Sequence, residues 1–235
     1  MKITWFGHSA FRIDHESNVI LIDPFLSGNP SFDGEVMEAA SGATHVLLTH
    51  GHDDHLGDSV EILRETDAML VANFEICMYL AALGDNADKI NPGNNGGTVD
   101  CGGFTTTFVK AEHSSASQLD EGRNVYLGNA SGLVLHFPGK PTFYHMGDTD
   151  IFGDMTLINE LHQPRIACVP IGDRFTMGGA VAALVCRRYF NFDTILPCHF
   201  GSFPIIDQTA DTFVEALGEQ SDRVKLLDPS GSFEV

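Results

Sequence analysis

Apolar residues fall along this chain with two periods, one near two and one near three and a half. Residues 3–13 and 18–25 are short runs rich in β-branched and aromatic side chains, separated by His15-Glu16-Ser17, which predicts a β-hairpin at the start. After a Gly-, Pro- and Asn-rich loop around residues 28–34, residues 45–49 form a continuous apolar strand that ends at His50. A helix over 58–65, a strand over 69–72 and a helix over 74–83 closed by Gly84 follow. The middle of the chain, 98–109 and 132–145, is strand-dominated, with Pro138-Gly139-Lys140-Pro141 marking a hairpin turn. Alternation then returns, with helices over 154–161, 178–189 and 208–217 and strands over 166–171 and 194–198. Two strand-rich blocks, each with helices, predict an α/β protein whose two sheets pack face to face with helices outside. No Gly/Ser- or Pro-rich linker divides the chain, so residues 1–235 are read as a single domain.

Composition narrows the function. An apolar fraction of 43% with 17 Phe is enough for a sizeable core, which excludes disorder. Against 32 Asp and Glu stand only 13 Lys and Arg, a formal charge of −19. Such an excess repels phosphate backbones and anionic lipid, so nucleic acid and membrane are excluded as partners and a small molecule or a cation is expected. The five cysteines are odd in number, widely spaced and set among apolar neighbours, which reads as buried thiols in a reducing compartment. With no secretory leader pattern and no long apolar segment, a cytoplasmic protein is expected. Eleven histidines are the remaining anomaly. Imidazoles and carboxylates together are the raw material of a metal site.

The histidines are not scattered. Thr49-His50-Gly51-His52-Asp53-Asp54-His55-Leu56-Gly57 places an H-x-H-x-D-H pattern where a buried strand ends. On extended backbone alternate side chains share a face, so His50 and His52 can address one ion. The turn that follows presents Asp54 and His55 from another direction, toward a second. Gly51 permits close approach of the backbone, and Gly57 permits the turn into the next helix. One cluster cannot complete two coordination shells, so distant ligands are required, each at a strand end. His113, Asp148 and His199 meet that requirement.

In this order, H-x-H-x-D-H, His, Asp, His, the motifs resemble the metallo-β-lactamase superfamily. The flanking segments Trp5-Phe6-Gly7-His8-Ser9-Ala10-Phe11, Leu21-Ile22-Asp23-Pro24-Phe25, Asn95-Gly96-Gly97-Thr98, Phe175-Thr176-Met177-Gly178 and Gly201-Ser202-Phe203-Pro204 resemble its metal-dependent hydrolases of the L-ascorbate-6-phosphate lactonase-like type. The resemblance spans nearly the whole chain and implies a four-layer αββα sandwich with the site at one edge between the sheets. It further implies that His50, His52 and His113 hold one metal, that Asp54, His55 and His199 hold the other, and that Asp148 bridges them. Gly172-Asp173-Arg174 and Cys198-His199-Phe200 depart from the subgroup's usual residues at those positions, on the substrate side of the site.

The implied chemistry is hydrolysis of a small-molecule ester, lactone or phosphoester by a metal-bridging hydroxide, since two divalent ions lower the pKa of a shared water toward about 7. Asp54 would ligate and orient the attacking oxygen. Five imidazoles and two carboxylates without a thiolate favour Zn²⁺, with Mn²⁺ or Fe²⁺ as alternatives. Five further residues are open between a role in the site and a structural one. His8, read as lying in the first strand, would hold substrate or act in catalysis. Asp23 would fix a ligand imidazole. Arg174 would clamp an anionic substrate group. Glu75 and Asn73 either face the site or cap the helix that begins at Phe74. His15, His45, His136 and His162 have no matching partners and are read as structural.

Competing readings are a nuclease or phosphodiesterase of the same fold, opposed by charge and by the lack of a basic arm, and a di-iron redox protein, opposed by the absence of room for a flavin domain. Because a dinuclear site is locally positive, the acidic exterior does not by itself exclude a small anionic substrate. Oligomeric state is left open, a homo-oligomer included.

Overall fold

The computed structural model describes residues 1–84, 87–118 and 123–235. One sheet is built from β1 (Lys2–Trp5), β2 (Phe11–His15), β3 (Asn18–Ile22), β4 (His45–Leu47) and β5 (Met69–Val71), in that spatial order. The first three strands run as an antiparallel meander, whereas β3, β4 and β5 are parallel. The second sheet contains β6 (Thr98–Asp100), β7 (Thr105–Lys110), β10 (Ser131–His136), β11 (Phe143–His145), β12 (Ile166–Pro170) and β13 (Thr194–Cys198), in that spatial order. A small antiparallel ribbon of β8 (Ala116–Ser117) and β9 (Val125–Tyr126) lies between β7 and β10 in sequence. The last strand, β14 (Ser232–Glu234), pairs with β1, so that Lys2 faces Glu234.

Helices cover both outer faces. These are α1 (Val36–Ala39), α2 (Asp53–Leu56), α3 (Ser59–Glu65), α4 (Phe74–Gly84), α5 (Met155–His162), α6 (Gly179–Tyr189) and α7 (Asp211–Leu217). The period-two rule shows how strands buried on both sides divide their side chains. Ile20 and Ile22 of β3 enter the core between the sheets with Phe108, Leu133, Ile166 and Leu196, while Leu21 points outward to Ile62, Ile76 and Leu80 under α3 and α4. On β12, Ile166 and Cys168 face inward, while Ala167 and Val169 pack on α6 and α7 through Ala182, Val185 and Phe213. The result is the four-layer αββα sandwich that the sequence predicts. All five cysteines are free and buried. Among the described residues, no helix is long and apolar enough to cross a membrane.

The strand-dominated segment 98–109 holds β6 and β7. Two local expectations change. Residues 3–13 are not one strand: the chain leaves β1 at Trp5 and re-enters the sheet at Phe11, so His8 sits in the intervening turn with a left-handed backbone, φ 50°. Finally, the segment after His52 is a short helix, α2, rather than an open turn. It ends at Gly57, whose φ of 44° redirects the chain into α3.

Candidate metal centre

Every predicted ligand arrives at the same end of the sandwich, on loops that leave the strands. His50 follows β4, with His52 on the extended residue that precedes α2. Asp54 and His55 are set by α2 itself. Gly51 can lie here only because it lacks a side chain, since a Cβ there would come within 2.7 Å of Leu127. His113 follows β7, Asp148 follows β11 and His199 follows β13. The backbone tightens where these loops meet. Thr149 Oγ1 accepts the Glu112 N–H at 3.0 Å, tying the loop of Asp148 to that of His113. His199 donates its backbone N–H to the carbonyl of His8 at 2.9 Å. His8, Asp23 and His199 are buried non-glycine residues in the left-handed region, a conformation retained only where the surroundings impose it.

Asp148 lies at the middle. Its Oδ2 is 3.1 Å from Nε2 of His199, 3.4 Å from that of His55, 3.6 Å from that of His113 and 4.0 Å from that of His50. On one side of it, donor atoms of His50, His52 and His113 lie within 4.8 Å of one another, with His50 Nε2 3.0 Å and His113 Nε2 3.2 Å from His52 Nδ1. On the other side, Asp54, His55 and His199 form a second such group, and His8 belongs to it. Two nitrogens converging on a third cannot be satisfied by one shared proton. Moreover, His55 Nε2 and Asp148 Oδ1 are buried without a hydrogen-bond partner among the described residues. Orphaned buried donors and acceptors are costly, so this donor set fits divalent ions.

Electrostatics reflect the crowding. Burial, reinforced by His55, holds His50 well below the ordinary imidazole range. Burial lowers Asp148's tendency to ionise, but His199 and His55 outweigh it and keep the carboxyl well below the carboxylate range. His55 is the exception among the imidazoles. Burial opposes its charge, yet the carboxylates of Asp148, Asp23 and Asp54 raise it well above the usual value.

His8 was placed in a strand by the sequence, yet the turn it occupies takes its ring directly to the cluster. Nε2 is 3.1 Å from Asp54 Oδ2, and Nδ1 is 2.6 Å from the Ser202 hydroxyl. Burial draws the imidazole down to about 4 even though Asp54 opposes this, so the ring is neutral. Its one N–H then faces the carboxylate, which only accepts, and Ser202 donates to Nδ1. Ser202 was not singled out by sequence reasoning. The two residues are separated by 194 positions, and although the Gly201-Ser202-Phe203-Pro204 segment shares in the family resemblance, nothing in it points to His8.

Asp23 is fully buried and accepts from His55 Nδ1 at 2.7 Å. Asn73 caps α4, its Oδ1 accepting the Ile76 N–H at 2.9 Å. Glu75 is exposed on the first turn of α4. The sequence leaves Arg174 open between a contact with an anionic substrate group and a surface role. In the fold it is exposed, its guanidinium lies over the Phe175 ring at 5.7 Å, and it does not line the cavity beside the cluster. That cavity, of about 630 Å³, reaches His8, His52, Asp54 and His199. Another of about 590 Å³, around Lys2, Arg12 and Phe32, contains none of the clustered histidines. The histidines read as structural lie elsewhere: His45 packs edge-on against Phe104, His15 against Phe137, and His136 lies beside His162.

An αββα sandwich with a histidine and aspartate cluster at its strand ends defines a metal-dependent hydrolase of the metallo-β-lactamase fold, and the comparisons with known proteins agree. The family profile described as "Beta-lactamase superfamily domain" matches residues 2–199. The chain is 64% identical over 235 residues to a UPF0173 metal-dependent hydrolase of Chelativorans sp. (strain BNC1), covering 100% of this chain and 99% of that protein. It is 65% identical over 226 residues to another from Mesorhizobium japonicum, covering 96% of each. The crystal structure of Igni18, a metallo hydrolase from Ignicoccus hospitalis, superposes with a TM-score of 0.85 at 30% identity, covering 100% of this chain and 98% of that one. The chain therefore belongs to the UPF0173 metal-dependent hydrolases of the β-lactamase superfamily.

Proposed function

We propose that the cluster holds two divalent ions and that the protein hydrolyses a small-molecule ester, lactone or phosphoester. His50, His52 and His113 would hold one ion, Asp54, His55 and His199 the other, with Asp148 shared. The observation that carries this reading is Asp148 Oδ2, which stands within 4.0 Å of the Nε2 atoms of four histidines drawn from both groups. The nitrogen-rich donor set, without a thiolate, favours zinc over manganese or iron. Divalent ions held there supply Lewis acidity and lower the pKa of water from about 15.7 toward about 7.

The chain's own groups supply the rest. Asp54 lines the cavity and is about one-third exposed, so its carboxylate can orient the attacking water and take up its proton. His8 holds Asp54 Oδ2 in place, and Ser202 in turn holds His8. An Asp54–His8–Ser202 series has the composition of a nucleophilic triad, but Ser202 is buried and does not line the cavity. With all five cysteines buried as well, neither Ser202 nor a thiol reaches the cavity, and the nucleophile of the proposed reaction is water.

Metal analysis of the purified protein, followed by a screen of lactones, thioesters, phosphodiesters and β-lactams in the metal-loaded form, tests the proposal. Two equivalents per chain and turnover of one class are expected. Replacement of Asp148 by Ala should abolish both. A variant that keeps its metal and its activity refutes the shared-carboxylate arrangement.

A further inference from the structure

Two chemically different sets of residues line the cavity beside the cluster. One is His52, Asp54 and His199. The other is Phe25, Phe175, Phe203, Pro204, Ile205 and Ile206. Phe25 and Phe203 stack on each other with centroids 6.2 Å apart, and both meet the buried His8 ring edge-on, at 5.9 and 5.4 Å. Contacts of this kind fix the aromatic wall before any ligand arrives. Phe175 and Ile205 are each 51% exposed, so apolar surface continues to the mouth.

The polar residues on the lining do not offer a charge partner. Gln118 donates to the side chain of Asn124 at 2.7 Å, so these amides engage each other. Asp53, also on the lining, accepts from Ser117 at 2.7 Å. No Lys or Arg is found among the described residues that line the cavity, and Arg174 lies on the Phe175 ring instead. Arg123, next to Asn124 in the chain, is exposed and is not among the described residues that line the cavity. An anionic group packed on the aromatic residues would be desolvated there, in a cavity whose lining also includes Asp53.

We infer that the substrate is an uncharged ester or lactone whose acyl part is apolar, a medium-length alkyl or aryl group that packs on Phe25, Phe203 and Ile205, rather than a phosphate-bearing molecule. This rests on the hydrolase reading above. In the reaction one water is consumed, the acyl C–O bond breaks, and a carboxylate and an alcohol leave. The carboxylate forms at the ion cluster, not at the apolar wall. Each methylene buried in the wall contributes about fourfold to kcat/KM, from about 0.8 kcal/mol per methylene.

The test uses the metal-loaded protein with 4-nitrophenyl acetate, butyrate and hexanoate, and with the 4-nitrophenyl monoester of adipic acid, which matches the hexanoate in reach but ends in a carboxylate. We expect kcat/KM to rise steadily with chain length, and the adipate ester to be at least thirtyfold slower than the hexanoate. Ile205→Asp, at a half-exposed position the fold tolerates, should flatten the chain-length dependence and lower kcat/KM for the hexanoate at least tenfold. In parallel, hexanamide and its ω-carboxylate analogue, adipamic acid, are titrated by NMR as unreactive ligands, with tighter binding expected for hexanamide. A flat chain-length series overturns the inference. So does an adipate ester that is faster than the hexanoate, above all if Arg174→Gln removes that advantage. Should no ester or lactone turn over while another class in the screen does, the inference falls and the hydrolase reading stands; should no class turn over, the hydrolase reading falls, and the amide pair still decides whether the wall selects a neutral apolar group.

Discussion

Asp23 Oδ2 receives the His55 Nδ1–H directly, at 2.7 Å, and is linked to His50 through one hydroxyl. Thr49 Oγ1 donates to the same carboxylate oxygen at 2.6 Å, so its own oxygen is left to accept the Nδ1–H of His50 at 3.0 Å. The Thr49 backbone N–H occupies Oδ1 at 2.8 Å. One buried carboxylate thereby fixes the tautomer of an imidazole from each of the two groups and leaves both Nε2 atoms facing Asp148. Such outer partners typically change metal affinity by about 10- to 100-fold when altered.

This arrangement separates two variants. Asp23→Asn should weaken both ions, because both imidazoles lose their anchor. Thr49→Val breaks only the link to His50 and should weaken the ion of His50, His52 and His113 selectively. Competition with a chromogenic chelator, resolving two equivalents, reads the difference. Equal weakening of both ions by Thr49→Val would contradict the relay.

The roles of His8 and Ser202 part in the same way. Since Ser202 acts only by holding the His8 ring, Ser202→Ala should lower kcat by no more than about tenfold. His8→Ala leaves Asp54 Oδ2 unheld and should lower it by about 10- to 100-fold, with metal content retained. Loss of an attacking serine would instead cost several orders of magnitude. Steady-state kinetics on any substrate that emerges from the screen distinguishes these outcomes.

What the sequence revealed of this site follows from how locally each feature is encoded. The cluster from His50 to His55 is contiguous, and His113, Asp148 and His199 each stand at the end of a readable strand, so these residues were legible one by one. The break between β1 and β2 was not. Trp5, Phe6, Ala10 and Phe11 are all buried, so the apolar run continues through the turn while the backbone at Gly7 and His8, with φ of 94° and 50°, departs from the strand. The partnership of Ser202 with His8, and the closing of the first sheet by β14, depend on contacts across almost the whole chain. For Arg174 the sequence shows the loop position but not the direction of the side chain, which depends on the left-handed backbone at Asp173 and Arg174.

Removal of the ions should leave a folded but weaker protein. The cores between and outside the sheets do not depend on them. The loops that carry the cluster would keep five imidazoles and two carboxylates at close quarters without a counter-ion. An ion present at about a hundred times its dissociation constant stabilises the fold by about 2.7 kcal/mol per site. Chelation should therefore lower Tm by several degrees and abolish hydrolysis, and zinc should restore both. An unchanged Tm would contradict this linkage.

His145 supplies a pH dependence that lies outside the cluster. Nδ1 accepts the Gly147 N–H at 3.0 Å, and Nε2 then carries the proton toward the Ser9 carbonyl at 3.2 Å. Only the neutral ring can make both bonds, and burial holds the imidazole below its ordinary 6.5. Below that value the unfolded chain takes up a proton that the folded chain refuses. Stability must therefore fall as pH drops from about 7 toward 5, by up to about 1.4 kcal/mol per pH unit for one such group, until the folded-state value is reached. Other buried imidazoles add to the slope, so the contribution of His145 is read as a difference. In metal-free protein, His145→Gln should reduce the pH dependence of the urea midpoint between pH 7.5 and 5.5 by about one proton. Equal slopes in the two proteins would mean that the native His145 ring is protonated, or that Gly147 finds another acceptor, and the loop that delivers Asp148 would then be held by something other than this imidazole.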